Sequence, residues 1–376
     1  MDPTLVVALA WTAGATVTLA ALLIIFKLVH REILRWRGVR TAHYVAAIGE
    51  LVSRGMVLTQ PPSAWSEDPY FHHALAEYRL LVTGPDRETI DGLANALGIH
   101  EVLEARSRNR LMLTARLRAV SSLVDLADER HIDTLRKLVH DRNSHVRVHA
   151  VRGLARLGDA AYTTEILNLA KTVKPWEAAR IADALVDLGS SVVDPIVQWV
   201  TREMEVDRPD VEVISLATRI LGLIGDPDAE PTLLRLLGTD QPELRLAAAS
   251  ALEHTGGEAA VPALLEALDD RDWKVRARVA VALGATAEPT VARPVSGLLN
   301  DPVWWVRQNA AAALGSIPAG TDYLIAALEG FDPYAADAAL NQLTVSGVLR
   351  QVLDRVSGGE ATDRDLQLAS LVSDRP

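Results

Sequence analysis

Apolar and small residues recur along the second half of the chain at the spacing of one helical face. Leu244, Ala248, Ala251 and Leu252 form one stripe, Val275, Val279, Ala282 and Leu283 the next, and Val306, Ala310, Ala313 and Leu314 a third. Spacing of i, i+4, i+7 and i+8 places each set on one side of an α-helix, which is the side a helix buries. Each stripe returns after 31 residues. Before each lies a shorter apolar run, Leu233-Leu234-Leu237 and then Leu264-Leu265-Leu268, opened by Pro231 and Pro262 where a first-turn proline forfeits no hydrogen bond. The pattern predicts a hairpin of a short A helix and a longer B helix joined by an acidic turn.

The ends of the B helices fall at Gly158, Gly189, Gly225 and Gly256, with Ala287 and Pro318 in the equivalent places; the single long step absorbs an insertion around Glu203 to Pro209. About seven such units fit between His131 and Val345. One hairpin cannot cover its own stripe, so stability must come from stacking neighbours. Alanine runs such as Ala247-Ala248-Ala249 let successive helices approach closely.

An acidic turn, a Val-Arg pair and an Ala-rich helix ending near Leu-Gly resemble the HEAT family, in particular the short bacterial type called PBS-lyase HEAT-like. Asp141 with Val146-Arg147, Asp270 with Val275-Arg276 and Asp301 with Val306-Arg307 carry the resemblance, over residues 131–345. Ala178, Ile214 and Ala338 stand where the arginine would be, so a regular charged ladder is not expected through the middle. The fold expected is all-α, a right-handed α-solenoid of HEAT-like hairpins behind an N-terminal transmembrane helix.

That helix is read from the 24 uncharged residues Pro3 to Phe26, long enough for a span that needs about 20. Lys27, Arg31, Arg35, Arg37 and Arg40 follow it, whereas Asp2 alone precedes it. Positive charge stays cytoplasmic, so the expectation is a single-pass protein of the cell membrane with its N-terminus outside and its solenoid in the cytoplasm. The basic collar is expected to contact lipid headgroups, and the small stripe Ala10, Gly14 and Thr18 to pack another membrane helix. The expected organisation is a transmembrane helix at 1–29, a basic juxtamembrane helical segment at 30–58, a Pro-rich linker at 59–70 and a divergent helical cap at 71–130. The repeats follow at 131–345, then a C-terminal helix and polar tail at 346–376. Residues 71–130 read equally well as a separate small helical domain.

The chain carries a net charge of −11, although its first 40 residues are net positive. The remainder is therefore strongly acidic, which argues against nucleic acid as a partner. Without a single cysteine there is no thiol nucleophile, disulfide or cysteine metal site. No Gly-x-Ser-x-Gly occurs, and the glycines at 153 and 158 are followed by Asp159 rather than the lysine of a phosphate loop.

Four tryptophans stand out at the turns entering the B helices. Trp273 and Trp304 are one period apart, and Trp176 and Trp305 share the adjacent repeat position. They read either as a partner-binding ridge, since tryptophan is favoured at interface hot spots, or as plugs sealing neighbouring units. The Asp/Arg pairs recur with the repeat, as structural ties do and a catalytic centre does not. His145 and His149, with His140 before them, have a spacing that can bind metal on a helical face, but no HExxH accompanies them. Asp269-Asp270-Arg271-Asp272 reads as a solvated turn.

The function expected is therefore a scaffold without catalysis, cofactor or metal: a membrane-anchored cytosolic solenoid that binds a protein, itself membrane-embedded. The resemblance to membrane-anchored HEAT proteins implies an accessory or regulatory subunit of a membrane glycosyltransferase in polysaccharide synthesis. Two other readings are a bilin-lyase-like HEAT enzyme and a nucleic-acid-binding HEAT protein.

Overall fold

The computed structural model describes residues 27, 31, 32, 35, 38–54, 62–109 and 111–373. Among these residues the regular structure is helical throughout and contains no strand. The chain divides into two compact units, with the boundary between Gly153 and Leu154.

In the first unit a helical segment at 38–53 is followed by the helices Ser63–Glu67, Pro69–Leu81, Pro85–Ala96, Ile99–Ser107, Leu113–Leu126 and Ile132–Leu138. The stretch read as a linker thus holds a turn of helix, because Trp65 stacks on the fully buried Phe71 at 4.7 Å and Tyr44 meets both rings edge-on. Asp68 caps the next helix through the Tyr70 amide and also accepts from the Tyr44 hydroxyl and the Arg40 guanidinium. Burial alone would raise the Asp68 carboxyl; these hydrogen bonds outweigh it and hold the group below the ordinary carboxylate value.

His72, 1% exposed, sets its Nε2 2.8 Å from the Ser66 carbonyl oxygen, and desolvation pushes its pKa down to about 4. Above pH ~6.5 the imidazole is neutral in folded and unfolded chains alike. Between pH ~6.5 and 4 only the unfolded chain takes up the proton, so stability falls as the pH falls, by about 2–3 kcal/mol from this group. Urea unfolding compared at pH 7 and 4.5 should show that loss in the native chain and a shallower one in His72→Leu. Equal losses would mean that the buried ring plays no part.

The second unit is built of the predicted hairpins. Its B helices are Pro175–Val186, Val211–Ile224, Pro242–Thr255, Trp273–Thr286, Trp304–Ser316 and Pro333–Val345. Every residue of the three stripes named above is buried. The A helices are short because a 3-10 turn opens several of them, as at Pro227–Ala229, Glu258–Ala260 and Pro289–Val291. Successive B helices touch backbone to backbone where one offers glycine: a Cβ at Gly222 would lie 2.6 Å from Ala251 Cα, and one at Gly284 2.9 Å from Ala313 Cα. Gly225 ends its helix with φ of 73°, a conformation that costs an L-residue about 1–2 kcal/mol. Ala287, one of the replacements in that series, adopts it as well, with φ of 53°.

The insertion after the helix Val193–Met204 is tied down from both sides. Lys171 Nζ lies 2.5 Å from Glu203 Oε2, and Glu203 accepts from the Asp210 amide before Asp210 caps the following helix. Beyond the last repeat comes a further hairpin, Val348–Gly358 and Asp363–Ser373, clipped by a two-pronged Arg355–Asp365 pair.

The expected placement in the cell membrane, with the N-terminus outside and the solenoid in the cytoplasm, is corrected: among the described residues no helix is long and apolar enough to cross a membrane. The longest repeat helices have 14 residues, about 21 Å at 1.5 Å per residue, against a hydrocarbon core of about 30 Å. The segment 3–26, with Ala10, Gly14 and Thr18, and also Arg37, lie outside the described residues. Lys27, Arg31 and Arg35 are helical and exposed, whereas Arg40 is engaged by Asp68.

Candidate partner-binding edge

The turns between A and B helices carry an arginine ladder whose rungs run between repeats. Arg245 sends Nε and Nη2 to the two carboxylate oxygens of Asp270, at 2.6 and 2.9 Å. Arg276 repeats the fork on Asp301 at 2.7 and 3.0 Å. The remaining nitrogen turns inward: Nη1 of Arg245, Arg276 and Arg307 donates to the carbonyl six residues earlier, on Thr239, Asp270 and Asp301. Arg245 and Arg276 thus clamp their own turns and grip the next, as a rigid planar fork can and a lysine cannot.

The sequence places aspartate and arginine in one repeat; the structure pairs Arg245 and Arg276 with the aspartate of the following repeat. That aspartate has a second task, because Asp270 Oδ1 accepts from the Asp272 amide and Asp301 Oδ1 from the Val303 amide. Burial would raise the Asp270 carboxyl, but the Arg245 fork and the Asp272 amide hold it below the ordinary value. A carboxylate held ionised in this way cannot shuttle protons near neutrality, and an arginine spent on it is not offered to a phosphate. The Arg245–Asp270 rung is therefore suited neither to general acid work nor to holding a phosphate.

A rung that the sequence reading passed over occurs in the first unit, where Arg116 Nη2 donates to Asp141 at 3.1 Å and Arg147 Nη1 to the Asp141 carbonyl. The signal was present, since Arg116 stands one period before Arg147.

The four tryptophans do not share one environment. Trp304 and Trp305 are 51% and 57% exposed, edge to face with ring centroids 4.6 Å apart. Trp176 is 44% exposed. Trp273 is half-buried in the wall of a groove of about 920 Å³, whose lining also includes apolar Leu234, Leu237 and Pro242 and acidic Asp240 and Glu266. The next turn adds two aromatics that periodicity did not single out: Phe331 is fully exposed, and Tyr334 is exposed with its ring centroid 5.0 Å from the Arg307 guanidinium carbon. Among the described residues no group of three or more His, Asp or Glu side chains is arranged to hold a metal ion.

Stacked two-helix repeats with internal ladders and an aromatic-rich turn edge define an α-helical repeat protein. The family model for HEAT repeats matches residues 103–186, 201–278 and 261–344, together more than half of the chain. The chain belongs to the HEAT-repeat family. The first match begins inside the segment read as a cap and takes in the helix that carries Arg116.

None of the curated proteins matches the chain. Among solved structures, the karyopherin Kap121p bound to the extreme C-terminus of the protein phosphatase Cdc14p is 14% identical over 83% of this chain and 42% of that one, with a TM-score of 0.49. Kap95p, in a structure describing its binding to RanGDP, is 13% identical over 83% and 54%, also at 0.49. An engineered protein from a structural genomics consortium is 20% identical over 86% and 97%, at 0.38. The chain spans about half or less of the length of these two karyopherins.

Proposed function

We propose that this HEAT-repeat chain is a non-catalytic scaffold that grips a protein partner along the turn edge of its second unit. The observation that carries the reading is the exposure of Trp304 and Trp305, side by side at the start of a B helix whose buried stripe is already filled. Neither ring is needed to seal that stripe. Large exposed aromatics are the side chains most often found at the energetic centre of interfaces. Phe331 and Tyr334, exposed in the next turn, extend the supply of such side chains along the edge.

The test is affinity purification of the intact chain beside Trp304→Ala/Trp305→Ala, with the retained proteins identified by mass spectrometry and the helical content of both baits compared. A partner held through both rings should be recovered at least tenfold less by the variant, since a hot-spot aromatic is worth about 2 kcal/mol or more. The same proteins at the same yield would remove the edge from consideration. The narrower partner expected from the sequence, a membrane glycosyltransferase, rested on an anchored layout that the described helices do not support. Its recovery in this experiment is the result that would restore it.

A further inference from the structure

The last rung of the ladder is open. Arg245 and Arg276 each place the Nε and Nη2 edge of the guanidinium on a carboxylate of the following repeat. Arg307 has the same inward clamp, from Nη1 to the carbonyls of Asp301 and Pro302, and only 7% of the residue is exposed. Its Nε, however, is buried without a hydrogen-bond partner. The aspartate one period on, Asp332, caps its own helix through the amides of Tyr334 and Ala335. Like Asp301 it accepts from the amide two residues on, yet it forms no ion pair with Arg307. What lies over the guanidinium is the ring of Tyr334, which is 63% exposed.

A buried donor without an acceptor costs about 1–3 kcal/mol, and more when it carries charge. The two finished rungs show which acceptor this edge is shaped for. On the same helix Trp304 stands three residues before Arg307, the spacing at which side chains share a face. From the proposed partner-binding role of this edge, we infer that Arg307 is the anchor point for a carboxylate presented by the partner, an acidic side chain set among apolar ones. The carboxylate takes the Nε and Nη2 positions that Asp270 and Asp301 fill in the earlier rungs, Tyr334 moves aside to admit it, and the apolar neighbours rest on Trp304 and Trp305. A charge-assisted fork of this kind is about twice as strong as a neutral hydrogen bond.

The test is calorimetric titration of the full chain with two capped peptides, Lys-Leu-Glu-Leu-Lys and its Lys-Leu-Gln-Leu-Lys counterpart. The glutamate peptide should bind at least tenfold more tightly than the glutamine peptide. The ratio should fall to about one in Arg307→Gln and to an intermediate value in Arg307→Lys, which keeps the charge and loses the fork. Tyr334→Ala should strengthen glutamate binding by uncovering the site, and it keeps the inference testable if Arg307→Gln does not fold. Equal affinity for the two peptides in the native chain, or a ratio unchanged in Arg307→Gln, overturns the carboxylate assignment. The broader reading fails separately, if Trp304→Ala/Trp305→Ala leaves natural partner capture untouched.

Discussion

Asp301→Ala should destabilise the protein by about 3–4 kcal/mol, among the largest losses available to a single truncation in the second unit. The change strips both prongs from Arg276, whose side chain is 15% exposed beside a carboxylate at 5%, and leaves a largely buried cation with only the carbonyl acceptors of its own turn. Removing one partner of a buried pair costs about 3–5 kcal/mol for that reason. It also removes the acceptor of the Val303 amide in the turn before the helix, worth about 1 kcal/mol. Asp332→Ala supplies the internal control, because Asp332 accepts from the amides of Tyr334 and Ala335 as the cap of its helix without making an ion pair. Its cost should be about 1 kcal/mol. Denaturant unfolding followed by circular dichroism measures both, and equal losses would show that the fork on Arg276 contributes nothing beyond an amide hydrogen bond.

Gly222→Val should cost about 3 kcal/mol or more by a different route. The new Cβ would fall 2.6 Å from Ala251 Cα, and backbone cannot rotate out of the way as a side-chain terminus can. Overpacking of this sort forces neighbouring helices apart. Combining it with Ala251→Gly removes the methyl contact at 2.7 Å but not the one to Cα, so rescue should be partial. Gly92→Ala marks the opposite limit. Its Cβ would meet nothing within 4 Å in the helix Pro85–Ala96, and the gain in helix propensity is about 1 kcal/mol. A Gly222→Val protein as stable as the native one would mean that the helix contact is looser than the described geometry.

The repeat was legible in the sequence because it is written in residues that must be buried. Leu244, Val275 and Val306 mark the same position three times, and all are fully buried. The direction of the rungs was not legible, because spacing gives the order of aspartate and arginine along the chain but not which neighbour a long side chain reaches. Phe331 and Tyr334 escaped notice since they occupy positions that hold no aromatic in the preceding repeat. Apolar length suggested a membrane span at 3–26, outside the described residues, and the described helices supply no support for it. Trp176, Trp273, Trp304 and Trp305 looked equivalent as letters, yet exposure separates Trp273 from the other three.

The gap at Ala178 and Ile214 has a thermal counterpart. In a linear array each unit draws its stability from its neighbours, and these two B helices have no guanidinium with which to hold the following turn. Single contacts couple them instead, Lys171 to Glu203, Trp199 to Asn168 and Arg235 to Thr201, with no two-pronged fork, beside the one insertion that breaks the 31-residue step. Heating should therefore part the array at that seam, with the repeats joined by the Arg245 and Arg276 forks melting as one block and the preceding hairpins fraying independently.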